Sequence, residues 1–459
     1  MSEGEQGAQR LSMKRKAGFA IGDYACNLYW QSISLFLMYY YTDVVGLPAT
    51  TAGLIYMIAS IFDGAIDPVM GAVADRTRTR WGRYRPWILM GAVPLGFSFA
   101  ALYWKPALDG LGLIAVVLAT HLVFRVAYTA VSIPYSSLTA RITTSSDERN
   151  GLAGFRMFFA TLAGLTISFL TQPMVALFGG GDQARGFFYA ACTIALVSTS
   201  ILPLVFLATR EPVLASDDQP MPRMRDYWRS IRVNRAFWLV MVAITSAALC
   251  STVIGKSVLY YFKYFVHDEG SARYALSIKS AAGLLIIPSW VYVTKLTGKR
   301  GAWFTATGWA LVGLAIFSLL DIRDVVGASL MFLFLHVAIL GLNMTYWSML
   351  PDTVEYGEWR SGVRAESFIF GFGIFFQKVA LGLAAGLLGV MLDLVGYIPN
   401  QPQTPETLEG IKLIITVFPT IGLIMAAVAM WLHPLRRGEH ERISRELAER
   451  RLAVAHAGD

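Results

Sequence analysis

The chain contains about twelve apolar segments, running from 17–42 and 49–74 to 367–394 and 411–433. Each is close to or above the roughly 20 residues that cross a bilayer as a helix. Backbone polar groups in hydrocarbon must pair within their own segment, so repeated spans of this length predict an all-α membrane protein. Only 15% of the residues are charged and 55% are hydrophobic, whereas a soluble globule carries about a quarter as charges. The polar, basic start "MSEGEQGAQRLSMKRKAG" does not resemble a cleavable signal peptide, so the N-terminus is expected to stay in the cytoplasm.

The net charge of +8 raises the possibility of nucleic acid as a partner, but its distribution argues against one. Basic residues fill alternate connections: Lys14 to Lys16, Arg76 to Arg85, Arg141 and Arg149, Arg223 to Arg235, Lys295 to Arg300, Arg360 and Arg364, and the tail from Arg436. By the positive-inside rule both termini are cytoplasmic and the charge is topological. Cys26, Cys192 and Cys250 all fall in apolar runs and are read as small core residues, not as a disulfide frame or metal motif.

The longest polar connection, 210–235, divides the chain into two six-span halves, 1–209 and 236–433, followed by a basic cytoplasmic tail, 434–459. The halves echo one another. "IPYSSLTARITTSSDERNGLAGFR" follows the fourth span and "YWSMLPDTVEYGEWRSGVRAESF" the tenth. Paired halves of this kind point to a repeat-built transporter with its substrate site near the midplane.

Ionisable residues deep in a span are expensive, so each is a functional candidate. In "ASIFDGAIDPVMGAVA" Asp63 and Asp67 lie four apart, on one helical face. Carboxylates that close in a low dielectric repel and call for a cation or a proton; ion pairing to neighbouring helices is the structural alternative. Gly64 and Pro68 loosen the helix and can free carbonyls for coordination. Asp23 in the first span is expected to contact substrate, and Lys378 in the eleventh to meet a carboxylate or a polar substrate. Arg125, Thr129, Ser132 and Ser136 form a polar stripe on the fourth span. Arg156 begins the fifth span, where end-anchoring and binding are equally open, as are the roles of Lys256. Aromatics such as Tyr24, Trp30, Tyr128, Tyr135 and Trp347 suit lipid interfaces and packing as well as sugar rings. No zinc-protease, nucleophile-elbow or Walker motif occurs, so an enzyme is not expected, and without an ATP site the energy source would be an ion gradient.

These residues resemble the glycoside–pentoside–hexuronide:cation symporter family of the major facilitator superfamily, to which melibiose permease belongs. The resemblance runs through "LMYYYTDVVGL", "DGAIDPVMGAVADRTRTRWGRYRPWIL", "IPYSSL", "FRMFFATLAG", "DTVEYGEWRSGVRAES" and "GYIPN". It implies twelve helices in two pseudo-symmetric six-helix bundles in a bacterial inner membrane. It implies a cation site at Asp63, Asp67 and Thr129, and substrate contacts at Asp23, Tyr128, Arg156 and Lys378. It also implies a cytoplasmic gate of Arg149, Asp352, Glu355, Arg364 and Glu366. Ser132 and Ser136 stand where the melibiose carrier has an acidic sugar ligand and a tryptophan. Ser60 replaces an arginine one turn before Asp63, while Arg125 is added nearby. Arg125 is therefore expected either to pair with Asp63 or to meet an anionic sugar such as a uronate. Ile66 stands where the permease has an amide ligand, which favours H⁺ over Na⁺ as coupling ion. No other cofactor and no metal are expected. The expectation is a cation-coupled sugar or glycoside carrier acting as a monomer in the lipid bilayer. An amphiphile (lysolipid) carrier and a non-transporting sensor are the alternatives, and the short tails argue against the sensor.

Overall fold

The computed structural model describes residues 12–142, 146–209, 224–363, 366–436, 438–440, 442–443, 445–447 and 449. Among them the chain is helical, without a β-strand. In order come α1 (Met13–Ser32), α2 (Ala49–Arg76), α3 (Arg85–Leu102), α4 (Gly110–Ile142), α5 (Ser146–Gly179) and α6 (Gln183–Ala208). There follow α7 (Met224–Arg232), α8 (Arg235–Tyr264), α9 (Ala272–Leu319), α10 (Val325–Ser361), α11 (Glu366–Leu394) and α12 (Pro405–Trp431). Ten helices among the described residues are long and apolar enough to cross a membrane.

Three places depart from the simple reading of spans. The first span continues beyond α1 through π-helical turns at Ile33–Leu37 and Tyr40–Val45. There the Thr42 hydroxyl lies 3.3 Å from the carbonyls of both Met38 and Tyr39. The eighth and ninth spans join as α9, broken only at Gly298, whose φ of 76° and ψ of 168° are non-helical and suit a residue without Cβ. The central connection holds the short helix α7 because Trp228 packs edge-on against Phe368 and Phe372 and Ile231 is fully buried.

The chain forms two compact units: Met1–Ser216 with Lys256–Ala281 and Ala385–Thr407, and Asp217–Gly255 with Ala282–Ala384 and Leu408–Asp459. In the first, α1 packs on α5 and α6, α3 on α4 and α6, and α2 on α4. Helices in lipid gain little from hydrophobicity alone and associate through close packing of small residues. Gly53 of α2 meets the Ala385 carbonyl and Gly386 of α11, and Gly389 meets the Ala49 carbonyl. Asp393 caps the start of α2, accepting from the amides of Ala49 (3.2 Å) and Thr50 (2.8 Å). In the second unit the segment after α12 folds back, burying Leu435, Ile443 and Leu447 against Ala236, Tyr356 and Trp359.

The two faces of α2 show how the site is placed. Ile58, Val69 and Val73 are exposed on an apolar face suited to lipid, while Asp63 on the other face is 1% exposed. One amphipathic reversal, oil outside and charge inside, puts carboxylates into the interior of the first unit.

Candidate functional site

Asp63 and Asp67 lie together in the first unit with α4 across from them. Arg125 Nη1 donates to Asp63 Oδ2 at 3.2 Å, and both side chains are buried. Arg125 Nη2 donates to Ser60 Oγ at 3.4 Å and Nε to His121 Nε2 at 3.4 Å. Of the two roles open to Arg125, the geometry shows the pairing with Asp63: its guanidinium reaches Ser60 from the neighbouring helix. Because Nε2 of His121 accepts, its proton sits on Nδ1, which faces the Tyr41 hydroxyl at 3.3 Å.

Thr129 lies between the two carboxylates. Its Oγ1 is 2.9 Å from Asp63 Oδ1 and 3.1 Å from Asp67 Oδ1. A hydroxyl has one proton, so it can donate fully to only one of two ionised carboxylates; the second contact becomes a full hydrogen bond when that carboxyl carries its own proton. Pro68 adds an oxygen nearby. It has no N–H, so the Gly64 carbonyl one turn earlier loses its intrahelical donor.

A second cluster gathers on Asp23 of α1. Arg156 grips it bidentately, Nε to Oδ2 at 2.6 Å and Nη2 to Oδ1 at 3.0 Å, the planar fork geometry that makes Arg–carboxylate pairs strong. Tyr135 donates to Asp23 Oδ2 at 2.7 Å, and Arg156 Nη1 donates to Thr139 at 2.9 Å. Both members of the pair retain partial exposure, 25% for the arginine side chain and 12% for the aspartate, so polar edges remain available to a ligand. Tyr128 stacks on Trp30 and Phe124. Ser132 is half-buried and Ser136 exposed.

The profile described as MFS/sugar transport protein matches residues 18–437. The chain belongs to this sugar-transport family. It is 29% identical to the isoprimeverose transporter of Lactiplantibacillus pentosus over 92% of this chain and 88% of that one. It is 27% identical to the glucuronide carrier protein homolog of Escherichia coli strain K12 over 96% and 97% of the two chains. The solved D-xylose–proton symporter aligns over 93% of this chain and 98% of its own, with TM-score 0.64 and 15% identity; at that identity it shows the major facilitator fold alone. The protein is thus a multi-pass membrane transporter and not an enzyme.

In this transporter Lys378 is half-buried on α11 in the second unit, where its neighbour Gln377 donates to Tyr346 at 2.8 Å. Of the expected gate residues, Asp352 pairs with Lys299 at 2.7 Å and Glu355 meets His440 at 2.9 Å. Arg364 and the side chains of Arg149 and Glu366 lie outside the described residues.

Several polar groups were not anticipated as sites. Asp43 receives Lys263 and Tyr264 on Oδ1 and Thr42 and Tyr397 on Oδ2, all at 2.7 Å. Asn400 donates to the Asp43 carbonyl. The motifs "LMYYYTDVVGL" and "GYIPN" therefore meet at one point. Lys256, whose role the sequence leaves open, donates to the Ser34 carbonyl at 3.2 Å and lies 3.8 Å from the Tyr56 ring centroid. Lys279, unremarked in an apolar run, lies on the side of α9 shared by the fully buried Ala275 and Leu276, opposite the exposed Ile278 and Leu285. Among the described residues its ammonium makes no hydrogen bond or ion pair.

Proposed function

We propose that the protein is a cation-coupled symporter of a sugar or glycoside, with the proton as coupling ion carried on Asp67. The observation that carries this reading is the Thr129 hydroxyl held between Asp63 and Asp67 while Arg125 sits on Asp63. One fixed cation already offsets one of the two carboxylates. A second cation on the same pair would meet Arg125; unit charges about 4 Å apart at an effective dielectric of about 20 repel by roughly 4 kcal/mol. A proton on Asp67 supplies the hydrogen that the second Thr129 contact requires. Ile66 adds no side-chain oxygen that a sodium ion would want.

With both termini in the cytoplasm, the cycle runs by alternating access between the halves 1–209 and 236–433. Protonation of Asp67 favours sugar binding at Asp23, Tyr128, Ser132, Ser136, Arg156 and Lys378. The reciprocal effect of sugar on proton affinity follows from linkage. The Asp43 contacts must break when the site opens outward, since they tie the first span to segments 256–281 and 385–407.

Lys279 favours an acidic sugar among the possible substrates, because a half-buried ammonium in a span is stabilised by an anion that the substrate brings. Uptake of a neutral pentoside, a neutral glycoside and a uronate, with H⁺ and Na⁺ varied independently, tests both points. Proton-dependent uptake that prefers the uronate, with the preference lost in Lys279→Gln, supports the reading. Sodium-stimulated uptake indifferent to the proton gradient refutes the coupling ion, and equal uptake of neutral and acidic sugars refutes the role of Lys279.

A further inference from the structure

A pocket of about 390 Å³ lies in the second unit, where α9 breaks at Gly298, α10 passes, and the segment after α12 folds back. Its lining includes Lys295, Lys299, Arg300, Arg436, Asp352 and His440. Four fixed cations face one carboxylate, and that carboxylate is already taken by Lys299 at 2.7 Å. His440 is engaged by Glu355. Arg300 donates one N–H to the Trp431 carbonyl at 2.7 Å, a neutral partner that leaves its charge uncompensated. Arg436 lies close enough to Arg300 for the two guanidinium charges to repel. Among the described residues Lys295 makes no hydrogen bond or ion pair. Like charges gathered in a concave site raise the local potential and call for an anion.

The rim narrows the chemistry of that anion. Leu296 is 57% exposed and follows Lys295 directly; Trp431, whose carbonyl binds Arg300, is 65% exposed. The exposed Phe304 ring lies beneath Arg300, 5.8 Å from its guanidinium carbon. Cations lining the pocket, with exposed apolar and aromatic residues next to them, match a molecule with a phosphate head and a hydrocarbon body. Basic pockets between membrane helices on the cytoplasmic side are suited to such head groups.

We propose that this pocket is a binding site for a phosphate-bearing anion, supplied by the head group of an anionic phospholipid. Lys295, Arg300 and Arg436 hold the phosphate oxygens, and Leu296, Phe304 and Trp431 lie along the acyl chains. The site is separate from the Asp63 and Asp23 clusters and uses none of their residues.

The test uses the purified full chain in neutral detergent, with bound lipid counted by native mass spectrometry and a thermal-shift titration. Phosphatidylglycerol, phosphatidylcholine and inorganic phosphate are the probes. Phosphatidylglycerol should be retained and should raise the unfolding midpoint, while phosphatidylcholine does neither. The double variant Lys295→Gln/Arg436→Gln should weaken phosphatidylglycerol binding by roughly 30-fold, on the usual effect of two basic residues near an anionic head group. The charge-keeping variant Lys295→Arg/Arg436→Lys should restore it, which separates recognition from misfolding. Arg323→Gln, a surface change outside the pocket, should leave it unchanged. If inorganic phosphate protects as well as phosphatidylglycerol and competes with it, the anion site stands and the lipid source is rejected. Equal retention of both lipids, or undiminished binding by the double glutamine variant, overturns the proposal.

Discussion

Asp43, near the end of the first span, and Asp63, in the middle of the second, are both buried carboxylates with a cation beside them. At Asp43 each oxygen accepts two hydrogen bonds, from Lys263 and Tyr264 on one side and Thr42 and Tyr397 on the other. The charge is offset and the donors suffice, as in a structural ion pair whose lone pairs are satisfied. At Asp63 a second carboxylate, Asp67, shares the Thr129 hydroxyl, and one proton cannot serve both. The first arrangement is complete as built; in the second, on the function proposed above, a proton on Asp67 turns the shared contact into a full hydrogen bond. A buried charge alone therefore does not mark a coupling site. What sets Asp63 apart is a single hydroxyl shared with a second carboxylate.

The comparison can be broken from either end. Asp43→Ala has the largest expected effect on stability: it leaves the buried side of Lys263 and two tyrosine hydroxyls without their acceptor, at a cost of about 3–5 kcal/mol. A detergent melting curve should show this while the number of cations moved per sugar stays unchanged. Any change in that number would mean that Asp43 belongs to the coupling site.

Gly389→Ala tests whether the packing that holds the Asp43 end together is as tight as it looks. The added methyl collides with the Ala49 carbonyl, and overpacking of this kind costs about 1–3 kcal/mol. Gly308→Ala, with open space around it, serves as the control; equal melting of the two variants would contradict the tight crossing of α2 and α11.

Thr129→Val has the smallest effect on stability, about 0.5–1.5 kcal/mol for one hydrogen bond. It should nevertheless displace the pH profile of sugar uptake, which Asp43→Ala should not. An unmoved profile would remove Thr129 from the coupling site.

Much of this architecture was legible in the chain itself. Apolar length marked the spans, and the i, i+4 spacing of Asp63 and Asp67 put both on the side of α2 facing Thr129. For Arg125 the sequence left two roles open, a partner of Asp63 or a contact to an anionic sugar, and the ion pair to Asp63 is seen only in the fold. Tyr135 was harder to assign. An aromatic in a span packs by default, and only the fold brings its hydroxyl to Asp23. The Asp43 cluster draws on residues more than 200 positions apart, so no local pattern announces it. Lys279 was hidden for another reason: amid apolar residues, a single lysine looks the same whether it snorkels to the interface or turns inward, and only the exposure of its neighbours on α9 decides.

The most direct measurement of the central claim is proton movement during sugar uptake by proteoliposomes in sodium-free buffer, for the wild type and Asp67→Asn. Sugar should drive protons inward with the wild type and alkalinise the medium. Asp67→Asn should carry sugar only down its own gradient, with no proton flux. Wild-type uptake that requires sodium and leaves the medium pH unchanged, or an Asp67→Asn variant that still moves protons with sugar, would contradict the account.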